Sequence, residues 1–378
     1  MKTEVKDRMC RVPALPGAAL QVGFVPDSDC APVVVAQESG LFEKYELQVE
    51  LHRETRWATL RDKIIYGELD AAQAPATLPF ITNLGLESDQ CACIAGLVLS
   101  LQGNAITLAR PLWDSEVRDA AALRDRVYRN WGRRTFTFAV EFAHAPPYFL
   151  LRQWLKAGGV APHREVRIVA LPPAQMYPAL KLGYIDGFCA GEPWTTLAVE
   201  AGAAVCVATS AQLAPLHPEK VFTVRQDFAQ HRADEHERLL AALLEACAFC
   251  DRPENHATLA EILSRPQYVN APADCLRQSL RAATESSGGS SDAGDAGLNI
   301  FYRHNANDPT DDRAAWLMNR LHDLVEQSVL KVPLQVRTPV VKNIFRRDLF
   351  QRAKALVNRQ AAVLNAEAES WQADRRIA

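Results

Sequence analysis

The sequence predicts an α/β protein of two lobes, each a mainly parallel β-sheet flanked by helices, followed by a helical C-terminal extension. The chain has 378 residues, which exceeds the roughly 250–300 residues at which a single hydrophobic core stops growing. From residue 20 onward, strand patterns alternate with helix patterns, which is typical of βαβ units. The same alternation begins again near residue 135, so we expect two similar lobes.

The repeated unit is visible element by element. The first copy predicts strands at 20–25, 47–51 and 69–74, and helices at 31–45 and 58–68. The second copy predicts strands at 135–140, 166–171 and 185–190, and helices at 146–160 and 174–183. The closing units superpose, because Gly67 and Asp70 stand 116 residues before Gly183 and Asp186. Glycine permits the left-handed turn that ends a helix, and the aspartate then starts a buried strand.

These patterns predict the domain boundaries. We assign residues 1–18 to an N-terminal tail, 19–103 to the first segment of lobe 1, 104–224 to lobe 2, and 225–378 to a return to lobe 1 with the helical extension. The chain should cross between the lobes near 100–108 and 220–226. Within the extension, the Gly/Ser/Asp-rich segment 286–297 predicts a surface loop or flexible insert. The charged tail after residue 346 predicts a helix, either solvated or bound to a partner.

Charge and hydropathy limit the partners and the location. The formal net charge is −3, so nothing favours direct binding to nucleic acid or to an anionic membrane. The longest apolar stretches are shorter than the ~18 residues that a transmembrane helix needs. The first residues show no apolar core of a signal peptide. We therefore expect a cytoplasmic protein, or a periplasmic or membrane-associated one if the natural chain starts earlier.

The cysteines do not predict a metal or redox centre. Nine cysteines are scattered along the chain, which favours reduced thiols over a disulfide framework. Cys247 and Cys250 have the spacing of a zinc pair, but they lie in a helical apolar pattern without the second pair that zinc requires. We interpret them as packing residues and expect neither a metal nor a cofactor.

The stretch "GEPW", Gly191 to Trp194, directly follows the last strand of the second copy. Open α/β sheets bind ligands beyond the carboxyl ends of their strands. This stretch should therefore face a cleft between the lobes. Closure of such a cleft around a small ligand is a hinge motion of two rigid lobes.

Several motifs together resemble one family. They are "GFVPDSDCAPVVVAQESGLFEKYELQVEL", "RWATLRDKIIYGELDAAQAPATLPF", "LQGNAITLA", "LRQWLKAGG", "GFCAGEPW" and "HPEKVFTVRQDF". In this order they resemble the nitrate- and bicarbonate-binding proteins of the NrtA/CmpA type, over about residues 20–330. The resemblance implies the type II periplasmic-binding-protein fold, no enzymatic activity, and a small oxyanion, nitrate or nitrite, as the ligand.

The missing export signal refines that implication. Family members that serve a transporter carry such a signal, so this chain looks more like the cytosolic nitrate/nitrite sensors of the NasS type. Those sensors hold an RNA-binding antiterminator of the NasT type and release it when the anion binds. The alternative is a solute-binding component of an ABC-type nitrate transporter, with a permease as its partner.

The resemblance also names ligand-binding candidates. Nitrate has three acceptor oxygens and no donor, so its site needs donors and a cation, whereas bicarbonate carries an O–H and benefits from a carboxylate. Trp57 matches a site tryptophan that stacks on the anion and donates its indole N–H. Gln102 matches an amide donor. Lys220 stands where nitrate binders carry lysine and bicarbonate binders carry an acidic residue.

Three more candidates come from the second lobe. Gly191 allows a close approach of backbone N–H groups to the ligand. Glu192 would repel an anion, so we expect it to pair with Lys220 or Trp57 and hold these donors in place. His144 precedes a helix N-terminus, and the Ala-Pro-Pro that follows leaves its register open by up to three residues. Residues after the strands of the first lobe could line the same pocket: Asp27, Asp29 and Thr77.

An enzyme remains the less favoured alternative. The same fold includes sulfinate desulfinases, which carry a catalytic cysteine soon after the first strand. Cys30 stands at about that place, just before a helix, where the field of the helix N-terminus lowers a thiol pKa. The residues around it follow the anion-binding pattern instead, so we expect no catalysis.

Overall fold

The computed structural model describes residues 17–281, 299–326 and 343–377. The insert predicted at 286–297 lies outside the described residues, as does most of the N-terminal tail. The described strands form two sheets, with the orders β11-β4-β10-β3-β1-β2 and β7-β6-β8-β5-β9. The strands are β1 (Leu20–Phe24), β2 (Val49–Arg53), β3 (Ala71–Pro75), β4 (Cys93–Gln102), β5 (Asn104–Ala109), β6 (Phe136–Val140), β7 (Val166–Ala170), β8 (Gly187–Gly191), β9 (Ala204–Thr209), β10 (Pro218–Arg225) and β11 (Asn299–Ile300).

Helices flank both sheets and dominate the part of the chain after β10. They are α1 (Ala31–Glu38), α2 (Leu41–Lys44), α3 (Trp57–Ile65), α4 (Leu78–Leu84), α5 (Arg110–Asp114), α6 (Ala120–Arg129), α7 (Pro146–Ala157), α8 (Pro173–Lys181), α9 (Trp194–Glu200), α10 (Ser210–Leu213), α11 (Gln226–His231), α12 (Ala233–Cys250), α13 (His256–Leu263), α14 (Ala273–Arg281), α15 (Asp311–Glu326) and α16 (Arg347–Ile377). The first turns of α16 pack on α12 through Leu349, Phe350 and Ala353. No helix in the described ranges is long and apolar enough to cross a membrane.

Each sheet combines a parallel half with an antiparallel half. β1 pairs in parallel with β2 and β3, and β6 pairs in parallel with β7 and β8. β10 runs antiparallel to β3 and β4, and β5 runs antiparallel to β8 and β9. The predicted two-lobed α/β class is confirmed. The sheets are mixed rather than mainly parallel, because the strands that join the lobes run against the βαβ strands.

The sequence repeat is also a repeat of hydrogen bonds. Asp70 accepts the backbone N–H of Gln21 through Oδ2 at 2.9 Å and donates its own N–H to the carbonyl of Gln21 at 2.9 Å. Asp186 makes the same two bonds with Thr137, at 2.8 and 2.7 Å. The glycines three residues earlier have φ of 73° and 74°, as the predicted left-handed turns require. Each aspartate therefore ties a helix–strand turn to the first strand of its lobe.

The chain crosses between the lobes twice. The first crossing is at Gly103, between β4 of the first sheet and β5 of the second, inside the predicted range. The return lies between Thr209, the end of β9, and Pro218, the start of β10. The crossing predicted at 220–226 and the lobe boundary at 224 are therefore too late. β10 belongs to the first sheet because it pairs with both β3 and β4.

The core lies between the sheets and their helices. In α1, Val33, Val34 and Val35 are fully buried, and this helix packs on α12. Cys247 and Cys250 are buried in α12, and the thiol of Cys247 faces the carbonyl of Leu99 at 3.7 Å. Among the residues that the structure describes, no group of three or more His, Cys, Asp or Glu side chains could hold a metal ion.

Candidate functional site

Lys220 lies at the centre of a fully buried ionic cluster. Its Nζ is 2.8 Å from Glu219 Oε1, 3.4 Å from Asp29 Oδ2, 3.7 Å from Asp27 Oδ2 and 3.8 Å from Glu141 Oε2. The side chains of all five residues are at most 1% exposed. One ammonium group thus faces four carboxyl groups with no access to bulk water. We call these five residues the Lys220 cluster.

An irregularity of β10 brings together two members of this cluster that are adjacent in the sequence, Glu219 and Lys220. Adjacent residues of a regular strand point to opposite faces of the sheet, so Glu219 and Lys220 would be separated. The register of β10 against β4 shifts between Pro218 and Lys220 and again between Lys220 and Val221. Such bulges re-aim side chains. Here they let Glu219 and Lys220 reach the same pocket.

Trp57, the first residue of α3, closes one side of the pocket. Its Nε1 donates to Glu141 Oε2 at 3.1 Å, and Lys220 Nζ lies 5.3 Å from the centroid of its ring, within the range of a cation–π interaction. Glu141 follows β6 in lobe 2, and its Oε1 accepts the backbone N–H of Gly191 at 2.7 Å. The cluster therefore joins the two lobes.

Gly191, at the end of β8, lacks the Cβ that would contact oxygen atoms of the pocket. A Cβ at this position would lie 3.3 Å from Asp29 Oδ2, 3.4 Å from Glu141 Oε1 and 3.8 Å from Asn104 Oδ1. Asn104 donates through Nδ2 to Glu219, while its Oδ1 has no hydrogen-bond partner among the described residues. Three buried oxygen acceptors thus converge on the space beside Gly191.

The two aspartates after β1 differ in their donors. Asp29 Oδ1 accepts from the hydroxyl of Ser100 and, at 2.8 Å, from Nδ2 of Asn299. Among the described residues, Asp27 Oδ1 accepts only from Gln73 Nε2, at 3.2 Å. Asp27 Oδ2 has no hydrogen-bond partner in the described part of the chain. Asp27 consequently has fewer hydrogen-bond donors than Asp29.

The electrostatics of the cluster follow from its burial. Burial raises the pKa of Asp27 well above its ordinary value; Lys220 opposes this rise and the other three carboxyl groups add to it. Burial also raises the pKa of Asp29 and of Glu141, again against the pull of Lys220. Burial acts the same way on Glu219, but Lys220 and His217 outweigh it, so the pKa of Glu219 is lowered. The Glu219–Lys220 pair is therefore the ionised core of the cluster.

The sequence-predicted residues divide into two groups. Trp57, Gly191 and Lys220 lie together around one pocket, and their ligand contacts stay predictions. Gln102 Oε1 accepts the backbone N–H of Leu216 at 3.2 Å. His144 Nδ1 lies 3.8 Å from a carboxylate oxygen of Glu87. In the described ranges, the polar side-chain contacts of both residues lead away from the Lys220 cluster, so their ligand contacts stay predictions.

Glu192 has a different partner from the one predicted. Its Oε2 accepts the backbone N–H of Thr196 at 3.1 Å, in the first turn of α9, and burial raises its pKa to about 7. The predicted pairing with Lys220 or Trp57 is wrong. Glu192 stands just past the end of β8 and turns toward its own helix, while Glu219 pairs with Lys220 and Glu141 with Trp57.

Sequence reasoning missed Glu141, Glu219 and Asn104. Glu141 stands three residues before His144, within the register that was left open, and it follows a strand as Asp27 does. Glu219 adjoins Lys220, but regular strand geometry would place it on the other face. The usable signal applied to Glu141 alone, an acidic residue directly after a buried strand.

Cys30 lacks the environment of a nucleophile. Its thiol is fully buried, and burial, with the charges of Asp27 and Asp29, raises its pKa well above the ordinary value. A backbone hydrogen bond with Asp27 and the charge of Arg53 lower the pKa of this thiol, but by less. The arrangement disfavours a thiolate at this position.

Comparisons with known proteins place the chain in a family. Residues 14–264 match the model of the NMT1-like family. Bicarbonate transport ATP-binding protein CmpC of Synechocystis sp. is 39% identical over 259 residues, which is 68% of this chain and 39% of CmpC. Nitrate import ATP-binding protein NrtC of Synechococcus elongatus is 33% identical over 339 residues, 89% of this chain and 50% of NrtC. The chain thus spans two fifths to half of these relatives.

The fold has a solved counterpart. The crystal structure of the periplasmic nitrate-binding protein NrtA from Synechocystis PCC 6803 superposes with a TM-score of 0.80 and 26% identity, covering 91% of this chain and 90% of that one. This likeness confirms the predicted resemblance to the NrtA/CmpA type. On the family match and this shared fold, the chain belongs to the NMT1-like family.

Proposed function

We propose that the chain binds a small oxyanion, nitrate or nitrite, between its two lobes. The observation that carries the proposal is Lys220, a fully buried ammonium group at the junction of the lobes. It lies under the face of Trp57 and within the same pocket as the backbone of Gly191. The names of NrtC and NrtA, which refer to nitrate, support this ligand.

The pocket has the parts that a planar anion requires. Lys220 supplies the counter-charge, and the ring of Trp57 supplies a flat surface. Two bonds between the lobes cover the pocket: Trp57 Nε1 to Glu141, and the N–H of Ser28 to the carbonyl of Glu192 at 2.7 Å. A ligand reaches Lys220 when the lobes separate, and hinge closure then encloses it.

Bicarbonate is a second candidate ligand, favoured by a specific observation. Asn104 Oδ1 and Asp27 Oδ2 are buried acceptors without a hydrogen-bond partner among the described residues. Nitrate has no donor to offer them, whereas bicarbonate carries one O–H. The name of CmpC, which refers to bicarbonate transport, supports the same candidate.

Calorimetry tests the ligand. The purified protein is titrated with sodium nitrate, nitrite and bicarbonate, and so are the Lys220→Met and Lys181→Met variants. We expect binding of at least one anion, weakened about tenfold or more in Lys220→Met, since tenfold corresponds to about 1.4 kcal/mol of lost attraction. Lys181, an exposed lysine at the end of α8, should have no effect.

The outcomes separate the candidates. If none of the three anions binds the unmodified protein, the proposed function is wrong. Tighter binding of bicarbonate than of nitrate and nitrite would select the second candidate. Because Lys220→Met leaves four carboxyl groups uncompensated, Trp57→Phe is titrated beside it, with thermal unfolding as the check that each variant folds.

We further propose a cytoplasmic role as a sensor of the NasS type, in which the anion-bound form releases an RNA-binding antiterminator. A ligand shifts a partner equilibrium only through its different affinity for the two conformations, and lobe closure offers such a pair. The alternative role, a binding component of an ABC-type transporter with a permease partner, draws support from the transport names of CmpC and NrtC.

Cell fractionation and affinity purification separate these two roles. A sensor should be found in the cytoplasmic fraction and should bring down an antiterminator that nitrate or nitrite releases. A transport component should be found at the membrane or in the periplasm and should bring down a permease. Recovery of the permease without the antiterminator would overturn the sensor role.

A further inference from the structure

We propose that Asp27 holds a proton that enters the cleft together with the anion, so that the site binds one anion and one proton as a unit. The inference rests on the proposed anion site and adds a second ligand to it. It is drawn from the arrangement of the four carboxyl groups around Lys220.

The charge of the pocket requires such a partner. Four carboxyl groups and one ammonium group share a volume without solvent access. Buried ionised carboxylates are stable only when they are paired and hydrogen-bonded. Binding of an oxyanion would add one more negative charge to a pocket that already has more acids than bases. The pocket therefore has to take up a positive charge with the anion.

Two of the four carboxyl groups have enough donors nearby to stabilise their ionised form. Glu219 accepts from Lys220 at 2.8 Å and from Asn104, and its Oε2 lies 3.2 Å from Nε2 of His217. Asp29 accepts from Ser100 and Asn299, and its other oxygen lies 3.4 Å from Lys220. Donors of this kind stabilise the ionised form of a carboxyl group.

Glu141 also has two hydrogen-bond donors in the described ranges, whereas Asp27 has one. Glu141 accepts from Trp57 Nε1 at 3.1 Å and from the N–H of Gly191 at 2.7 Å. Asp27 accepts from one neutral amide, Gln73, at 3.2 Å, and its Oδ2 is 3.7 Å from Lys220. The carboxyl group with the fewest donors is the one that most readily keeps a proton.

Most of the charged and titratable groups around Asp27 disfavour its ionised form. From its own segment it faces Asp29 and Cys30, from lobe 2 Glu141, and from β10 Glu219 and Lys220. Of these, only Lys220 favours ionised Asp27. Burial in the closed cleft raises the pKa of Asp27 well above its ordinary value, whereas an Asp27 exposed to water in the open cleft would be ionised near pH 7. Closure around an anion would raise the pKa further, so the proton is taken up on binding.

A proton on Asp27 also gives the pocket a hydrogen-bond donor for the anion. The protonated Oδ2 is an O–H donor, whereas the ionised form offers only acceptors. Nitrate and nitrite have acceptors alone, so a neutral Asp27 donates where an ionised one would repel. The proton turns the acceptor-rich pocket into one that an oxyanion can enter.

Calorimetric titration with sodium nitrate in buffers of different ionisation enthalpy measures the proton directly; sodium bicarbonate replaces nitrate if it alone binds. Near pH 7 we expect uptake of about one proton per anion and an affinity that falls about tenfold per pH unit as the solution becomes more basic. Asp27→Asn, a neutral isostere, should bind without proton uptake and with a flat pH profile. Asp29→Asn should bind more weakly and keep the uptake.

The exposed Asp125→Asn variant serves as the neutral control, since this side chain is 56% exposed. Anion binding without proton uptake in the unmodified protein would overturn the inference, and so would full uptake by Asp27→Asn. A dependence of binding on added calcium or magnesium would overturn it as well, because a metal ion would then balance the charge. Absence of any anion binding would instead reject the proposed function on which the inference rests.

Discussion

The indole N–H of Trp57, in lobe 1, donates to Glu141 Oε2, in lobe 2, at 3.1 Å. Both side chains also face Lys220: its Nζ is 5.3 Å from the centroid of the Trp57 ring and 3.8 Å from the same oxygen of Glu141. This bond between the lobes is therefore part of the proposed anion pocket, and a change in the bond should alter anion binding.

Replacement of Trp57 by phenylalanine tests this link. The variant keeps the buried ring but removes the donor to Glu141, and a hydrogen bond to a charged group contributes about 1.5–3 kcal/mol. We expect a loss of unfolding free energy in that range, measured by urea denaturation, and weaker anion binding. Trp131→Phe is the control, because this side chain is 59% exposed. Unchanged stability and affinity in Trp57→Phe would show that the bond does not hold the lobes.

Two glycines should respond differently to alanine. Gly191→Ala places a Cβ 3.3–3.4 Å from the oxygens of Asp29 and Glu141, so we expect it to weaken anion binding strongly at little cost to stability. Gly183→Ala meets no atom within 4 Å but has φ of 74°, so it should cost about 1 kcal/mol of stability and leave binding unchanged. Calorimetry and thermal unfolding of both variants check the contrast; the reverse pattern would contradict the assigned pocket.

Asp70 and Asp186 should stabilise their lobes in the same way. Asp70→Ala removes the acceptor of the Gln21 N–H, and Asp186→Ala removes that of the Thr137 N–H. Each loss should cost about 1 kcal/mol or more, since a half-buried donor is left without its partner. The Asp→Asn variants keep an acceptor oxygen and should recover much of that stability. Urea denaturation measures all four, and equal loss in the Ala and Asn variants would argue against the hydrogen bond as the cause.

Glu192 predicts a pH dependence of stability. Burial raises its pKa from 4.5 to about 7, so between these values the folded protein binds a proton that the unfolded chain has released. Stability then falls as the pH rises through this window, by an amount on the order of 3 kcal/mol at most. Glu192→Gln should remove this contribution and be the more stable variant at about pH 8. Thermal unfolding at several pH values checks this, with the exposed Glu116→Gln as the control.

Cys30 should be dispensable for binding. Its thiol is buried and its pKa is raised by burial and by two neighbouring carboxyl groups, so a thiol reagent should modify it only after unfolding. Cys30→Ala should bind anions as the unmodified protein does, with a stability loss of about 1 kcal/mol for the lost packing. Loss of a measurable desulfinase activity in this variant would instead revive the enzyme alternative.

The parts of the fold that depend on local patterns were predictable. The turns at Gly67 and Gly183, and the aspartates that follow them, are visible as a repeat because each is encoded within a few residues. The antiparallel return strand was not predictable in the same way. β10 pairs with strands more than 100 residues earlier in the chain, and no periodicity within β10 reveals that partner.

The candidate site likewise combines residues that local motifs predict with residues that depend on distant contacts. Trp57, Gly191 and Lys220 were identified by motif and lie together. Glu219 was missed because its position depends on bulges that redirect two adjacent side chains. Glu141 was missed because its importance comes from Trp57 in the other lobe, and such a contact is invisible along the chain.

The short return between β9 and β10 has a consequence for the architecture of the chain. Lobe 2 is one uninterrupted segment, 104–209, and its two ends lie side by side, since Ala105 pairs with Thr209. Lobe 1 is discontinuous, because its β10 lies between β3 and β4 and arrives only after lobe 2. The second lobe thus has the form of a domain inserted into the first, with its two ends close together. The first lobe, cut before the insertion, would lack a central strand and could not close its own sheet.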